Sequence, residues 1–280
     1  MPLGSGHQTT TTAANFIPEV WSKEVKMAVE QSLVFANLVK RFDMDVAQFG
    51  DTIHIPDLSN LVANNKTAQT SVTLQAPTEG VTNISINQHK ETSFIVEDIV
   101  SAQSQYDLQS MYTQKSGYAI AEAIDDSVAG LYAGLSQTTG SGASALADAD
   151  ILGGIELLDE ANAPMNDRSF VIRPAAKADI LALDKFALVN ESGSSMGLRN
   201  GEIGDIYGVK VFMTTNTPTV TTVAHNVLFQ KEAFALAMQV NPRVQSQYKQ
   251  EYLGNLVTVD TLYGVLEYRD TFGVDVQSLD

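Results

Sequence analysis

The sequence predicts an α+β protein in which an α/β unit is inserted between two parts of a second, strand-rich unit. Three observations carry that expectation. Residues 105–135 keep a helical period throughout. Residues 148–240 alternate helix and strand signals. Strand chemistry fills 50–98 and returns at 243–277.

Taken in order, residues 1–14 are rich in Gly, Ser and Thr, as expected of an arm ordered by a neighbour. Pro18 begins a helical pattern that runs to about Phe42. Val20, Trp21, Val25, Val29, Leu33 and Leu38 have roughly helical spacing, with Lys and Glu between them. Strands are predicted over 52–55, 81–86 and 93–96. Between the first two lies Ser59–Gly80, a polar, turn-rich span with few large apolar residues. Such a span cannot easily pack on its own core. It is either a plain surface loop or an arm that finds partners in another subunit.

The longest helix is expected over 105–135, where Leu108, Met111, Ile120, Ile124, Val128 and Leu135 recur at steps of three and four. About 30 residues at 1.5 Å each make a rod of roughly 45 Å. Thr138–Ser144 then reads as a flexible break and a domain boundary. Asp148 and Asp150 open a helix to Ala163, with Ile151, Leu152, Ile155 and Leu158 on one face. Pro164 stops it. Asn166 and Asp167 suit a turn, Ser169–Ile172 a strand, and Pro174 the first position of a helix to about Ala187. A Gly-rich loop, Glu191–Gly208, precedes strands near Val211 and Leu228. The expected core of this unit is Leu152, Ile155, Leu158, Phe170, Ile172 and Leu181. Val244, Tyr248, Val257, Val259 and Val265 mark long final strands, with turns at Gly254 and Gly264.

Composition excludes several classes of function. The 280 residues contain no Cys, so disulfides, thiolate metal sites and Cys nucleophiles are ruled out. Seventeen Lys and Arg face 33 Asp and Glu, a net charge of −16. That balance supplies no general basic face for nucleic acid. It suits solubility above all. No apolar run reaches the eighteen or so residues of a membrane span, and the first residues show no secretory signal.

Reactive constellations are weak. Gly193–Gly197 matches G-x-S-x-G, which would make Ser195 a nucleophile. It lacks the strand before and helix after that such an elbow needs. His7, His54, His89 and His225 are dispersed, without a metal-binding motif. Asp125–Asp126 and Asp159–Glu160 are adjacent on helices and diverge by about 100°, so solvated faces explain them. Arg168, Arg173, Arg199, Arg243 and Arg269 are candidates for ion pairs, within the chain or between subunits. No catalytic, cofactor or metal site is assigned.

Four phrases carry a resemblance that covers nearly the whole chain. They are Phe16–Ser22 (FIPEVWS), Gly50–Pro56 (GDTIHIP), Ile155–Pro174 and Gly201–Asn216. In this order they resemble the major capsid proteins of tailed bacteriophages. The resemblance implies the Hong Kong 97-type fold, with five segments: an N-terminal arm and helix (1–49), an E-loop region (50–98), a peripheral domain with a spine helix (99–145), an outer or axial domain (146–241), and C-terminal strands of the peripheral domain (242–280). It implies no enzymatic role. Hexamers and pentamers of the chain would tile an icosahedral shell around double-stranded DNA, without sequence-specific binding or membrane attachment. Assembly would take place in the host cytoplasm with a separate scaffolding protein, a portal and a decoration protein. Some relatives crosslink a Lys to an Asn; Lys66 lies in the E-loop, but no motif places that chemistry here. Two other readings are a cargo-holding encapsulin-like compartment with the same fold and, more remotely, a serine hydrolase using Ser195.

Overall fold

The computed structural model describes residues 33–43, 50–104, 106–183 and 204–280. The N-terminal arm, the helical pattern before Leu33, His7, Ser195 and Arg199 lie outside the described residues.

A four-stranded sheet is built on two long antiparallel strands, β11 (Phe234–Lys249) and β12 (Gly254–Glu267). Strand β4 (Gln88–Glu97) pairs antiparallel with β12, and β1 (Lys40–Arg41) pairs parallel with β11. Helix α3 (Leu108–Ala129) packs across this sheet. Asp107 caps it, accepting from Ser110 N–H at 3.2 Å. Ile120, Ile124 and Val128 recur every four residues and are buried on one face. The fully buried Tyr263 locks helix to sheet. Its hydroxyl lies 3.1 Å from Ala123 O and 2.8 Å from Ser127 Oγ, and Ser127 reaches Gln88 Oε1 at 3.0 Å. Burial raises the Tyr263 hydroxyl pKa.

Two helix expectations change here. Helix α3 has 22 residues, about 33 Å, not the roughly 45 Å predicted. A separate short helix, α2 (Asp98–Gln103), precedes it, and extended Ser104 breaks the continuity. At the other end, Gly130–Gly134 tightens into a 3-10 turn. The helix predicted to reach Phe42 ends early. Helix α1 spans Phe35–Leu38, Val39 is extended, and Lys40 and Phe42 donate backbone hydrogen bonds to Lys231 and Leu236. The open edge of β11 outweighs the local helical period.

The second sheet has seven strands. Its path runs β5 (Thr138–Gly140), β13 (Gly273–Leu279), β10 (Val223–Gln230), β6 (Arg168–Ile172), β8 (Val209–Met213), β7 (Asp205–Ile206), and β9 (Thr219–Val220) pairs with β10. Every residue of β6 is buried, as in a strand covered on both faces. Helix α4 (Asp148–Glu160) lies on one face, where a Cβ at Gly154 would press on Leu228. On the other face Phe229 stacks on Phe35 at 6.3 Å and meets Phe234 edge-on at 5.2 Å. Helix α5 (Pro174–Ala182) starts with Pro174 at its first position, as predicted. It ends at Ala182, earlier than expected, because Leu183 is extended.

Three further expectations are corrected. The supposed flexible break at 138–144 opens with β5, held by parallel pairing to β13. The boundary placed between 241 and 242 falls inside β11. Segment 242–280 does not stay in one sheet, since β13 enters the seven-stranded one. Within the core, Leu158, Phe170 and Ile172 are buried as predicted, Ile155 and Leu181 are half-buried, and Leu152 is 41% exposed. Gly154 lets α4 approach the sheet closely, which turns Ile151, Gly154 and Leu158 inward and Leu152 outward.

Candidate assembly surface

The third sheet is a hairpin of β2 (Thr52–Leu58) and β3 (Glu79–Ser85), in register from Thr52 opposite Ser85 to Leu58 opposite Glu79. Its root is fixed. Ile53, Ile84 and Ile86 are buried against Ala235 and Ala237 of β11. Gly264 of β12 is needed at this contact, because a Cβ there would collide with the Ser85 carbonyl. Gln239 Nε2 donates to Gly50 O at 2.9 Å, and Ile86 N–H to Asp51 O at 2.7 Å.

Beyond the root the hairpin leaves the protein. Every residue from Pro56 to Val81 is exposed, and residues 59–78 have no regular strand or helix. The two legs are joined by side-chain-to-backbone rungs. Val62 N–H donates to Gln75 Oε1 at 2.9 Å, while the Gln75 amide donates back to Val62 O. Thr78 N–H donates to Ser59 Oγ at 3.0 Å. At the tip Lys66 folds over the turn, donating to Thr67 O at 2.8 Å and to Thr70 O. Gln69 there adopts a left-handed backbone with φ of 62°.

This arm carries apolar side chains that the sequence reading undercounted. Leu61 is 68% exposed, Val72 67% and Leu74 89%, with Leu58, Val62 and Val81 also open. The missed signal is alternation: Ser71-Val72-Thr73-Leu74-Gln75 has the period of a strand that expects a partner. A second exposed apolar group sits at the far end of the four-stranded sheet. It comprises Ile99 and Val100 of α2 with Tyr252 and Leu253 of the β11–β12 turn. Asp98 fixes this end, donating its N–H to Leu253 O at 2.9 Å and accepting from Tyr248 Oη at 2.8 Å. The geometry offers a rooted arm whose legs expose apolar side chains, which is docking chemistry.

The polar candidates turn inward. Arg168, its side chain 5% exposed, pairs with Asp159 at 2.7 Å and donates to the carbonyls of Ala163 and Pro164, past the end of α4. Arg173 pairs with Asp280 at 2.6 Å, and Arg269 approaches Glu232 at 3.6 Å. Arg243 grips Asp260 with two bonds of 2.9 Å, holding that carboxyl below the ordinary range, aided by His89. Arg41 pairs with Asp43 at 2.8 Å, so each of the five described arginines is satisfied within the chain. His54 meets Asn83, and His225 is buried against Asp275 at 2.9 Å. The expectation that Asp125 lies on a solvated face is wrong. It is fully buried, accepting from Ala36 N–H at 2.9 Å and from Asn216 Nδ2 at 3.0 Å. Among the described residues no three His, Asp or Glu side chains converge as metal ligands. No helix among them is long and apolar enough to cross a membrane.

No protein-family model and no curated protein sequence matches the chain. Solved structures do. The chain is similar to a structure of Mycobacterium phage Che8, at 26% identity and a TM-score of 0.83, covering 94% of this chain and 97% of that one. It is similar to the capsid structure of the cyanophage P-SCSP1u, at 16% identity and a TM-score of 0.80, over 99% and 97% of the two chains. It is also similar to the mature capsid of bacteriophage PhiM1, at 12% identity and a TM-score of 0.78, over 99% and 97%. The likeness covers almost the full length of each chain. On that ground the chain is a protein of the Hong Kong 97-type capsid fold, the fold of tailed-phage major capsid proteins.

Proposed function

We propose that this chain is the repeating wall subunit of an icosahedral phage shell that encloses double-stranded DNA, with a structural and not an enzymatic role. The observation that carries this reading is a hairpin rooted in the core whose far half leaves apolar residues exposed. Such an arm makes sense when identical copies surround it, and closed symmetry then multiplies individually weak contacts.

Within this reading the β2–β3 hairpin is the E-loop, α3 the spine helix, and the four-stranded sheet the peripheral domain. The seven-stranded sheet with α4 and α5 is the axial domain. The loop around Gly193–Tyr207 would meet its symmetry copies at the centre of a hexamer or pentamer. Scaffolding, portal and decoration proteins are the expected partners, and the host cytoplasm the place of assembly. The net charge of −16 suits a wall whose contents must not adhere to it.

Electron microscopy of the purified protein tests the proposal. Closed icosahedral particles, or hexamers and pentamers that convert to them, are expected. A stable monomer at every concentration and salt condition would sink it. Removing residues 60–77 should leave a folded subunit that no longer forms normal particles; regular particles from that deletion would make the arm a passive loop.

A further inference from the structure

The four-stranded sheet has two outer edges, and they differ. Strand β4 forms one of them and carries Lys90, Glu91 and Glu97, charges that guard an edge against foreign strands. Strand β11 forms the other. Among the described residues only β1 pairs with its outer side, at Ala235 and Leu236. From 241 to 248 every residue of β11 is exposed.

The devices that blunt an edge are confined to the start of this stretch. Pro242 precedes Arg243, and the two breaks of register with β12 fall between Met238 and Val240 and between Val240 and Arg243. From Arg243 opposite Asp260 to Lys249 opposite Gly254 the register is unbroken. Seven residues of regular strand therefore turn every second pair of backbone N–H and C=O groups outward. Their side chains alternate between the two faces, with Val244, Ser246 and Tyr248 on one. Val244 is 57% exposed and Tyr248 46%, so helix α3 leaves this strip of the sheet uncovered.

The segment has nearly the same chemistry in both directions. From 243 to 249, RVQSQYK runs basic, apolar, Gln, Ser, Gln, apolar, basic. Antiparallel pairing of two copies about Ser246 sets Ser246 against Ser246, each Gln245 against a Gln247, and each Val244 against a Tyr248. A β-branched residue opposite an aromatic one is a favourable cross-strand pair. The five central residues carry no charge. At the ends Arg243 falls opposite Lys249, and Asp260, which holds Arg243 by two bonds of 2.9 Å, offsets that repulsion.

We propose that the outer edge of β11 is a two-fold contact. It pairs antiparallel with the same edge of a second copy, in register at Ser246, and joins two four-stranded sheets into one of eight strands. Main-chain hydrogen bonds supply the attraction, and the palindromic side chains fix the register. The contact is isologous, the kind that closed symmetric assemblies place on two-fold axes. For that setting the inference rests on the reading of the chain as a shell subunit.

A thiol placed on the axis tests the register, since the chain has no Cys of its own. In full-length Ser246→Cys the two thiols would face each other, with Cα atoms about 4.5–5.5 Å apart and inside disulfide range. In Gln247→Cys they would be two residues out of step, about 8 Å apart and beyond that range. Both positions are exposed, so chance collisions oxidise the two variants alike. With diamide as oxidant, Ser246→Cys should give a covalent dimer on the order of tenfold faster than Gln247→Cys, in particles or in concentrated solution. Equal rates at the two positions, or no dimer from either, would overturn the proposal. Regular particles without the crosslink would remove the contact and leave the shell reading standing. A crosslinked dimer that never builds particles would do the reverse.

Discussion

Asp125 does more at the level of a single residue than its place in a run of two acids implies. Its carboxylate gathers backbone N–H groups from Val34 and Ala36 at the start of α1 and an amide from the loop after β8. One buried anion thereby ties the long helix to parts of the chain about 90 residues away on either side. Asp125→Ala strands those donors without water, and should cost on the order of 3 kcal/mol. A lower urea midpoint with an unchanged slope is the expected measurement; a midpoint within error of the wild type would contradict it. The α4 face gives a paired test. Leu158 is fully buried, so Leu158→Ala should destabilise by about 2–5 kcal/mol. Leu152→Ala should stay within roughly 0.5 kcal/mol, as expected of an exposed site. Equal losses at the two positions would mean that the helix packs on a different face. The sequence could not reveal these roles. Asp125 finds its partners through tertiary contacts, and Leu152 belongs to the same apolar stripe as Leu158 until Gly154 sets how closely the helix approaches.

Among the elements, the hairpin separates folding from assembly along its own length. Its root contributes Ile53, Ile84 and Ile86 to the subunit core, while Leu74 near the tip contributes nothing to it. Leu74→Asp should therefore leave the melting temperature of the unassembled subunit unchanged while slowing or abolishing particle formation. A large loss of subunit stability would show that the tip packs at home. Elements with local signals were legible. The opening at Pro174 rests on a few adjacent residues and falls where expected, while α4 ends at Glu160, short of the stop expected at Pro164. The strand at 168–172 was visible as a short apolar run. Elements defined by distant partners were not legible. Lys40–Arg41 looks helical by period, yet pairs with β11 some 195 residues later. Thr138–Gly140 reads as a flexible turn, and becomes a strand because β13 offers it an edge. The arm itself was visible as a polar span, but its docking residues hide in a period-two pattern too short to stand out.

For the molecule as a whole, charge and topology set the behaviour. Copies that each carry −16 repel one another at long range, and about 0.15 M salt confines that repulsion to roughly 8 Å. Since the five described arginines are already paired within the chain, they leave few arginine bridges between subunits for added salt to weaken. Light scattering should show faster particle growth as salt rises from low values; a steady fall from the lowest salt upward would mean that ion pairs between subunits dominate. The path of the chain also sets an order of events during synthesis. Strand β10 is the centre of the seven-stranded sheet, flanked by β6 on one side and β13 on the other. When the ribosome has made β10, one of those neighbours exists and the other does not. The long β11–β12 pair must emerge first, and only then do Val274 and Val276 arrive to cover the open flank. A nascent subunit is thus held incomplete until β13 is made, with a bare strand edge that invites the wrong neighbour. A chain stopped after Phe272 should reproduce that stage permanently and collect in the insoluble fraction. Every folded subunit has passed that stage, so the seven-stranded sheet closes only once β13 is made.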